Sequence, residues 1–233
     1  MKEKIYTIPV SEAFKTDCEC PMCLLESNLE NEYIEYALGP SLMEPDSRVE
    51  SNENGFCRRH FEMLFNSQTN KLGLGLIIDT MMTEQNKKFK KLCDKGIHKK
   101  YADTVVEKLQ KFEKKCVICD KIDYTMQRFI DVILYLWCKE PEFKERFNRG
   151  KGFCLMHLAQ LVEGTKKYMS SKESQEFLGI LMDLQLNNLE RIQSEVNWFT
   201  KKYDYRYNDE PWGNSKDALQ RSIQKIVGFC SLK

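Results

Sequence analysis

The chain has 233 residues, 42% of them hydrophobic and 30% charged, with only 6 Pro and 11 Gly. This composition suits a soluble helical protein and excludes a disordered or collagen-like one. Its 36 basic side chains are matched by 35 acidic ones, so the whole molecule offers no field that would gather nucleic acid or an anionic membrane.

The opening MKEKIYTIPVSEAFKTD sets polar residues between its apolar ones and holds no apolar run of a signal peptide, so a cytoplasmic protein is expected. Ten cysteines in a reducing compartment cannot rely on disulfides, and their clustering points to thiolate ligands or redox thiols. The first cluster is CPMC at 20 to 23. After it, Leu25, Leu29, Tyr33 and Ala37 form one helical stripe, which Gly39-Pro40 stops. MEPDSRVESNEN then reads as a polar loop leading to GFCRRH at 55 to 60. A long helix from Leu72 to about Leu92 follows, and a linking helix carries Ala102, Val105, Leu109 and Phe112.

The second cluster, CVIC at 116 to 119, opens a helix that is apolar nearly all round. Its most apolar stretch, FIDVILYLW at 129 to 137, carries Asp131 and falls far short of the ~20 residues that span a bilayer. Glu140-Pro141 starts a short helix, since Pro suits the first helical position, and GFCLMH stands at 152 to 157. Leu178, Leu181, Leu189, Ile192, Val196 and Phe199 mark one long helix across most of 174 to 202. In the tail, Ser215 is the expected N-cap of a last helix with Leu219, Ile223 and Ile226 on one face and Gly228 as its stop. No segment alternates with period two, so no sheet is expected.

These elements repeat. The cysteine pairs lie 96 residues apart and the Gly-Phe-Cys-x2-His boxes 97 apart, while LGLIID at 74 to 79 returns as LGILMD at 178 to 183. Two copies are too few for a solenoid. The expected fold is all-α, with two pseudo-repeat helical units, each organised by its own Cys3His metal site, and a docked C-terminal helix. The expected divisions are 1–98, 99–203 and 204–233.

Cys-x2-Cys presents two sulfurs to one ion, and Cys-x2-His makes a second chelate of the same bite. Taken within each repeat, the ligands are Cys20, Cys23, Cys57 and His60, then Cys116, Cys119, Cys154 and His157. Four such ligands close a tetrahedral zinc site, so two Zn2+ ions are expected; iron-sulfur clusters are the alternative. Chance is a poor account, because a random histidine lies three positions after one of these cysteines in roughly 4% of cases. Cys18 reads as a bystander. Cys93, Cys138 and Cys230 read as core or surface thiols, and His98 as solvated. The second ligand set, beside the more apolar helix, is expected to be the better protected.

Residues 86 to 115 hold eleven lysines and four acids, which reads as a solvated helical link because no arginine for base contacts stands among them. Arg206, Asp209, Glu210 and Trp212 are a candidate binding cleft, weighed against simple docking of the tail. A closed four-ligand zinc site has no position for substrate, and the chain holds no Gly-rich phosphate loop, nucleophile elbow or His-Glu-x2-His motif. The paired CPxC…GFCxxH units and the closing DYR…DEPWG segment resemble an uncharacterised bacterial family of unknown function, from about Ile5 to Gly228, with Val117 where that family often has Pro. The resemblance implies the same eight ligands and no established activity. The expected function is therefore a non-enzymatic, zinc-stabilised interaction module for a protein partner. The alternatives are an iron-sulfur redox or electron-transfer protein, or a thiol-based sensor that releases zinc on oxidation.

Overall fold

The computed structural model describes residues 4–94, 101–113 and 116–230, so the expectation for His98 lies outside the described residues. Among the described residues there are eleven α-helices and no strand. They are α1 (Thr7–Ala13), α2 (Pro21–Leu38), α3 (Pro45–Asn54), α4 (Arg58–Asn66), α5 (Lys71–Cys93), α6 (Tyr101–Glu113), α7 (Val117–Lys139), α8 (Pro141–Asn148), α9 (Leu155–Tyr168), α10 (Ser171–Lys201) and α11 (Ala218–Val227). The all-α expectation holds, and none of the described helices is long and apolar enough to cross a membrane.

Two local expectations are corrected. MEPDSRVESNEN is not a loop: α3 occupies Pro45–Asn54 although none of its side chains is buried. Its ends create it. Pro45 has the fixed φ of a first helical residue, Asp46 faces the free N–H groups, and Gly55 stops the helix at φ +68°. A search for an apolar stripe misses a helix specified in this way. Helix α8 begins the same way, with Pro141 and Glu142, so α2–α5 and α7–α10 are equivalent four-helix runs. In the tail, Asp217 holds the N-cap position of α11, while Ser215 ends a short 3-10 turn and donates its hydroxyl to the Trp212 carbonyl (2.7 Å).

The chain forms two compact units, residues 1–27 with 125–233 and residues 28–124. The divisions read from the repeat follow sequence likeness, whereas these units follow spatial contact. In the first unit the core is aromatic. Phe14 lies 4.9 Å from Phe143 and 5.8 Å from Phe147, and Trp137 meets Phe177 edge to face at 5.1 Å. Full burial of each such ring contributes about 1.5–3 kcal/mol. Helix α10 runs 31 residues from a capping box in which Ser170 and Glu173 satisfy each other's backbone N–H groups. In the second unit, Leu64 of α4 and Leu74, Ile77 and Met81 of α5 are buried, Phe56 stacks edge-on against Phe61 at 5.4 Å, and α3 packs along α5.

Two helix glycines give opposite expectations. A methyl at Gly164 of α9 would overlap the buried Ile130 side chain of α7, whereas one at Gly179 of α10 meets nothing within 4 Å. Gly164→Ala should destabilise by about 1–3 kcal/mol through overpacking, and Gly179→Ala should stabilise by about 0.5–1 kcal/mol through helix propensity. Denaturant titration of both variants reads the two signs.

Candidate metal centres

Every cysteine pair and Cys-His pair sits at the start of a helix. Cys57 and Cys154 are extended N-cap residues of α4 and α9, and their histidines follow at the third helical position. Cys20 and Cys116 immediately precede α2 and α7, with Cys23 and Cys119 at the third position. The x2 spacing is thus the distance from a cap to the N3 residue, and both ligand atoms share the mouth of the helix, where free N–H groups favour negative charge. Before each Cys-His pair a glycine in the left-handed region, Gly55 at φ +68° and Gly152 at φ +78°, turns the chain into the helix. The side chain of Gln185 completes the second turn, accepting from the Phe153 N–H and donating to its carbonyl, both at 2.9 Å.

The eight candidate ligand residues form two clusters, but not one per repeat. Cys20 and Cys23 meet Cys154 and His157; Cys57 and His60 meet Cys116 and Cys119; in each cluster all ligand atoms lie within 4.8 Å of one another. The expectation of a site closed within each repeat is corrected, and chain geometry gives the reason. From Cys23 to the end of α2 at Leu38 the chain is carried about 22 Å, and the length of α3 can return at most about 15 Å, which leaves Cys57 short of Cys23. The same mismatch holds for the 23 residues of α7 and the eight of α8.

In the first cluster, His157 Nδ1 lies 3.5, 3.4 and 3.2 Å from the sulfurs of Cys20, Cys23 and Cys154, and the Cys23 and Cys154 sulfurs are 3.6 Å apart. In the second, His60 Nδ1 lies 3.2, 3.1 and 3.4 Å from those of Cys57, Cys116 and Cys119, with Cys57 and Cys119 3.9 Å apart. Zn–S and Zn–N bonds of ordinary length at tetrahedral angles would set sulfurs about 3.8 Å apart and sulfur to nitrogen about 3.6 Å. These eight distances match those lengths to within about half an ångström. All four residues of the first cluster are at most 5% exposed, whereas Cys57 and Cys119 of the second are partly open. The expected protection of Cys116 and Cys119 together with Cys154 and His157 is therefore divided between two clusters.

One carboxylate stands behind each imidazole. Glu30 Oε1 is 3.1 Å from His60 Nε2 and is itself held by Arg59 at 2.6 Å; Glu26 Oε2 is 3.5 Å from His157 Nε2, an ion-pair distance too long for a full hydrogen bond. The Glu30 bond fixes which ring nitrogen of His60 faces the ligand set and raises its basicity, whereas the buried Nε2 of His157 makes no hydrogen bond among the described residues. Sequence reading missed both carboxylates, although they stand three and seven residues after Cys23. With only the protein's own groups, each cluster shares protons. Burial pulls His60 down, but bonds to the Cys116 thiolate and Glu30 overcome it and hold the imidazole up to about 10; burial likewise opposes, and bonds to Cys154 and Cys20 outweigh, for His157, also about 10. Cys154 is held far below the usual thiol range by bonds from Cys20 and Cys23, and Cys116, despite burial, is lowered to about 6 by its bond to His60. A divalent ion would take the place of these shared protons.

The family of unknown function DUF6062 matches residues 1–233. The chain belongs to DUF6062. An "Uncharacterized 23.9 kDa protein in xynA 3'region" from Caldicellulosiruptor sp. (strain Rt8B.4) is 25% identical over 196 residues, 84% of this chain and 87% of that protein. No solved structure matches.

In this DUF6062 chain the tail abuts the buried cluster. A Cβ at Gly228, whose φ is +86°, would lie 3.6 Å from the Cys23 sulfur and 3.7 Å from that of Cys154. Lys225, 1% exposed, donates to the carbonyls of Glu19 (2.8 Å) and Lys151, one beside each ligand loop. The buried Glu19 carboxylate meets Lys225, Arg191 and Arg221; burial would raise its pKa, but the Arg191 bond and the Lys225 charge lower it. Beside this network opens a polar cavity of about 660 Å³, lined among others by Cys18, Lys151, Arg191 and Lys216. Cys18 stands outside the ligand cluster, its thiol pushed up first by burial and then by Cys20. The four candidate cleft residues do not line this cavity. Arg206 pairs with Asp204, Asp209 and Glu210 are exposed, the Glu210 carbonyl accepts from Lys202 at 2.6 Å, and Trp212 packs on Phe199 at 5.9 Å.

The crossed pairing has a distinct signature in metal loading. With zinc as the probe, Cys20→Ser/Cys154→Ser should retain one ion per chain, because both changes fall in one cluster. Cys20→Ser/Cys57→Ser should retain none, and elemental analysis counts the difference. Glu30→Gln should weaken binding at the second cluster by about 10–100-fold while leaving the first unchanged, read by competition with a chromogenic chelator.

Proposed function

We propose that this DUF6062 protein is a non-catalytic, zinc-stabilised helical protein whose two Cys3His centres hold a scaffold for contact with another macromolecule. The carrying observation is the edge length of the two ligand sets, all within 4.8 Å, which suits one tetrahedral ion apiece. Iron-sulfur clusters fit this spacing poorly, because several irons and bridging sulfides would have to lie between the ligand atoms. Three thiolates, one imidazole and Zn2+ carry a net charge of −1, which the helix starts and, at the buried centre, the Lys225 ammonium offset. Four protein ligands leave the ion no position for substrate, so its contribution is to folding, about 10–16 kcal/mol of apparent free energy for structural zinc units. Free thiols at ten positions suit a reducing compartment, and the cytoplasm is the compartment we assign. The duplication divides the chain at 98 and 203, each repeat supplying half of both centres.

A second reading, release of zinc on thiol oxidation, is favoured by one observation: Cys57 and Cys119 of the second centre are partly exposed. The same exposure orders the two centres. Protein purified without added metal should carry two zinc ions per chain by elemental analysis. A chelator should first remove the ion held by Cys57, His60, Cys116 and Cys119, leaving a one-zinc species in native mass spectrometry with Cys57 and Cys119 newly open to alkylation. Iron in place of zinc, or simultaneous loss of both ions, contradicts this reading.

A further inference from the structure

Helix α11 turns its apolar stripe to water. Its sequence ALQRSIQKIV sets Leu219, Ile223 and Ile226 at steps of four and three, the d-a-d spacing of a heptad, and a surface helix ordinarily turns such a stripe inward. Here the buried residues are Ala218 and Lys225. Lys225 is bound to the Glu19 and Lys151 carbonyls, and Arg221 to the carboxylates of Glu19 and Glu195. These bonds set the rotation of the helix and leave Leu219, Ile223, Ile226 and Val227 between 40% and 58% exposed. The first turn of α9, which packs against α11, adds Leu155 and Met156 at 46% and 53%. Together these six side chains leave on the order of 500 Å² of apolar surface in water, about the apolar share of the ~800 Å² that each partner gives to a standard interface.

We propose that this face is a homodimer interface, seated against the same face of a second copy of the chain. Two properties favour a second copy over a foreign partner. The positions flanking the stripe, Gln220 and Ser222, are uncharged, and the nearby Arg221 and Lys225 are engaged with Glu19, so a two-fold axis through the stripe brings no like charges together. The same neutral rim gives a foreign partner no charge to read, and charge at the flanking positions is what selects one helix over another. A d-a-d stripe of Leu and Ile is complementary to itself.

The test is sedimentation velocity of the full chain as purified, from about 1 to 100 μM, the range that detects micromolar association. Ile223→Glu, Ile226→Asp and the milder Ile226→Gln are run beside it. The wild type should sediment at twice the chain mass. Each variant should move towards the single-chain mass, with association weakened at least ten-fold, at unchanged helix content and unchanged metal per chain. Metal measured on the same samples separates this proposal from the zinc assignment, because either can fail while the other stands. A wild type that remains a single chain at the highest concentration overturns the proposal, as does a dimer that survives all three substitutions.

Discussion

Two helix starts meet at each cluster, and much else in the chain follows from that arrangement. A thiolate is costly to bury, and a closed Cys3His set is negative even around a divalent ion. Placing each ligand at a cap or an N3 position surrounds that charge with backbone N–H groups that the helix cannot use itself. Four helices, α2, α4, α7 and α9, each contribute two ligands by their first turn alone. The turn glycines Gly55 and Gly152 exist to deliver the chain to those starts at an angle that other residues adopt only with strain.

The two clusters solve the same electrostatic problem differently. Around the buried one, the buried Lys225 bridges the two ligand loops, and the buried Glu19 is clasped by Lys225 and by the half-buried Arg191 and Arg221. Around the other, the compensation is a chain from His60 through Glu30 to the largely exposed Arg59. The buried Lys225–Glu19 contact keeps its strength because solvent does not screen it, while the Arg59 end of the second is screened and exchanges with solvent. Local opening therefore costs less at the second cluster.

The charge network of the first unit also decides how the tail lies. Burying the stripe of α11 would gain apolar burial, yet turning the helix would strip Glu19 of two cations and leave a carboxylate buried with fewer partners. Breaking such a contact costs several kcal/mol, more than burial of one or two aliphatic side chains returns. The polar contacts win, and the apolar face is left for another surface.

By itself, the sequence determined the helical class, the duplication, the eight residues of the two Cys/His clusters and most helix positions, because these depend on local periodicity and on chelate bite. It also held, unread, the helix-end signals of α3: Pro45, Asp46 and Gly55. What only the tertiary structure decided was pairing and orientation. Equal Cys-x2-Cys and Cys-x2-His bites combine equally well in either order, and helix lengths, not spacing, exclude Cys57 from the company of Cys23. The run CEC drew attention to Cys18, but the buried anchor is Glu19, because Lys225 and Arg191 reach it from positions 206 and 172 residues away. Glu26 and Glu30 look like solvent-facing positions of an amphipathic helix until the histidines are placed against them. An apolar stripe at Leu219, Ile223 and Ile226 shows that one side of α11 is hydrophobic, but which side meets the core is set by the buried carboxylate it must neutralise.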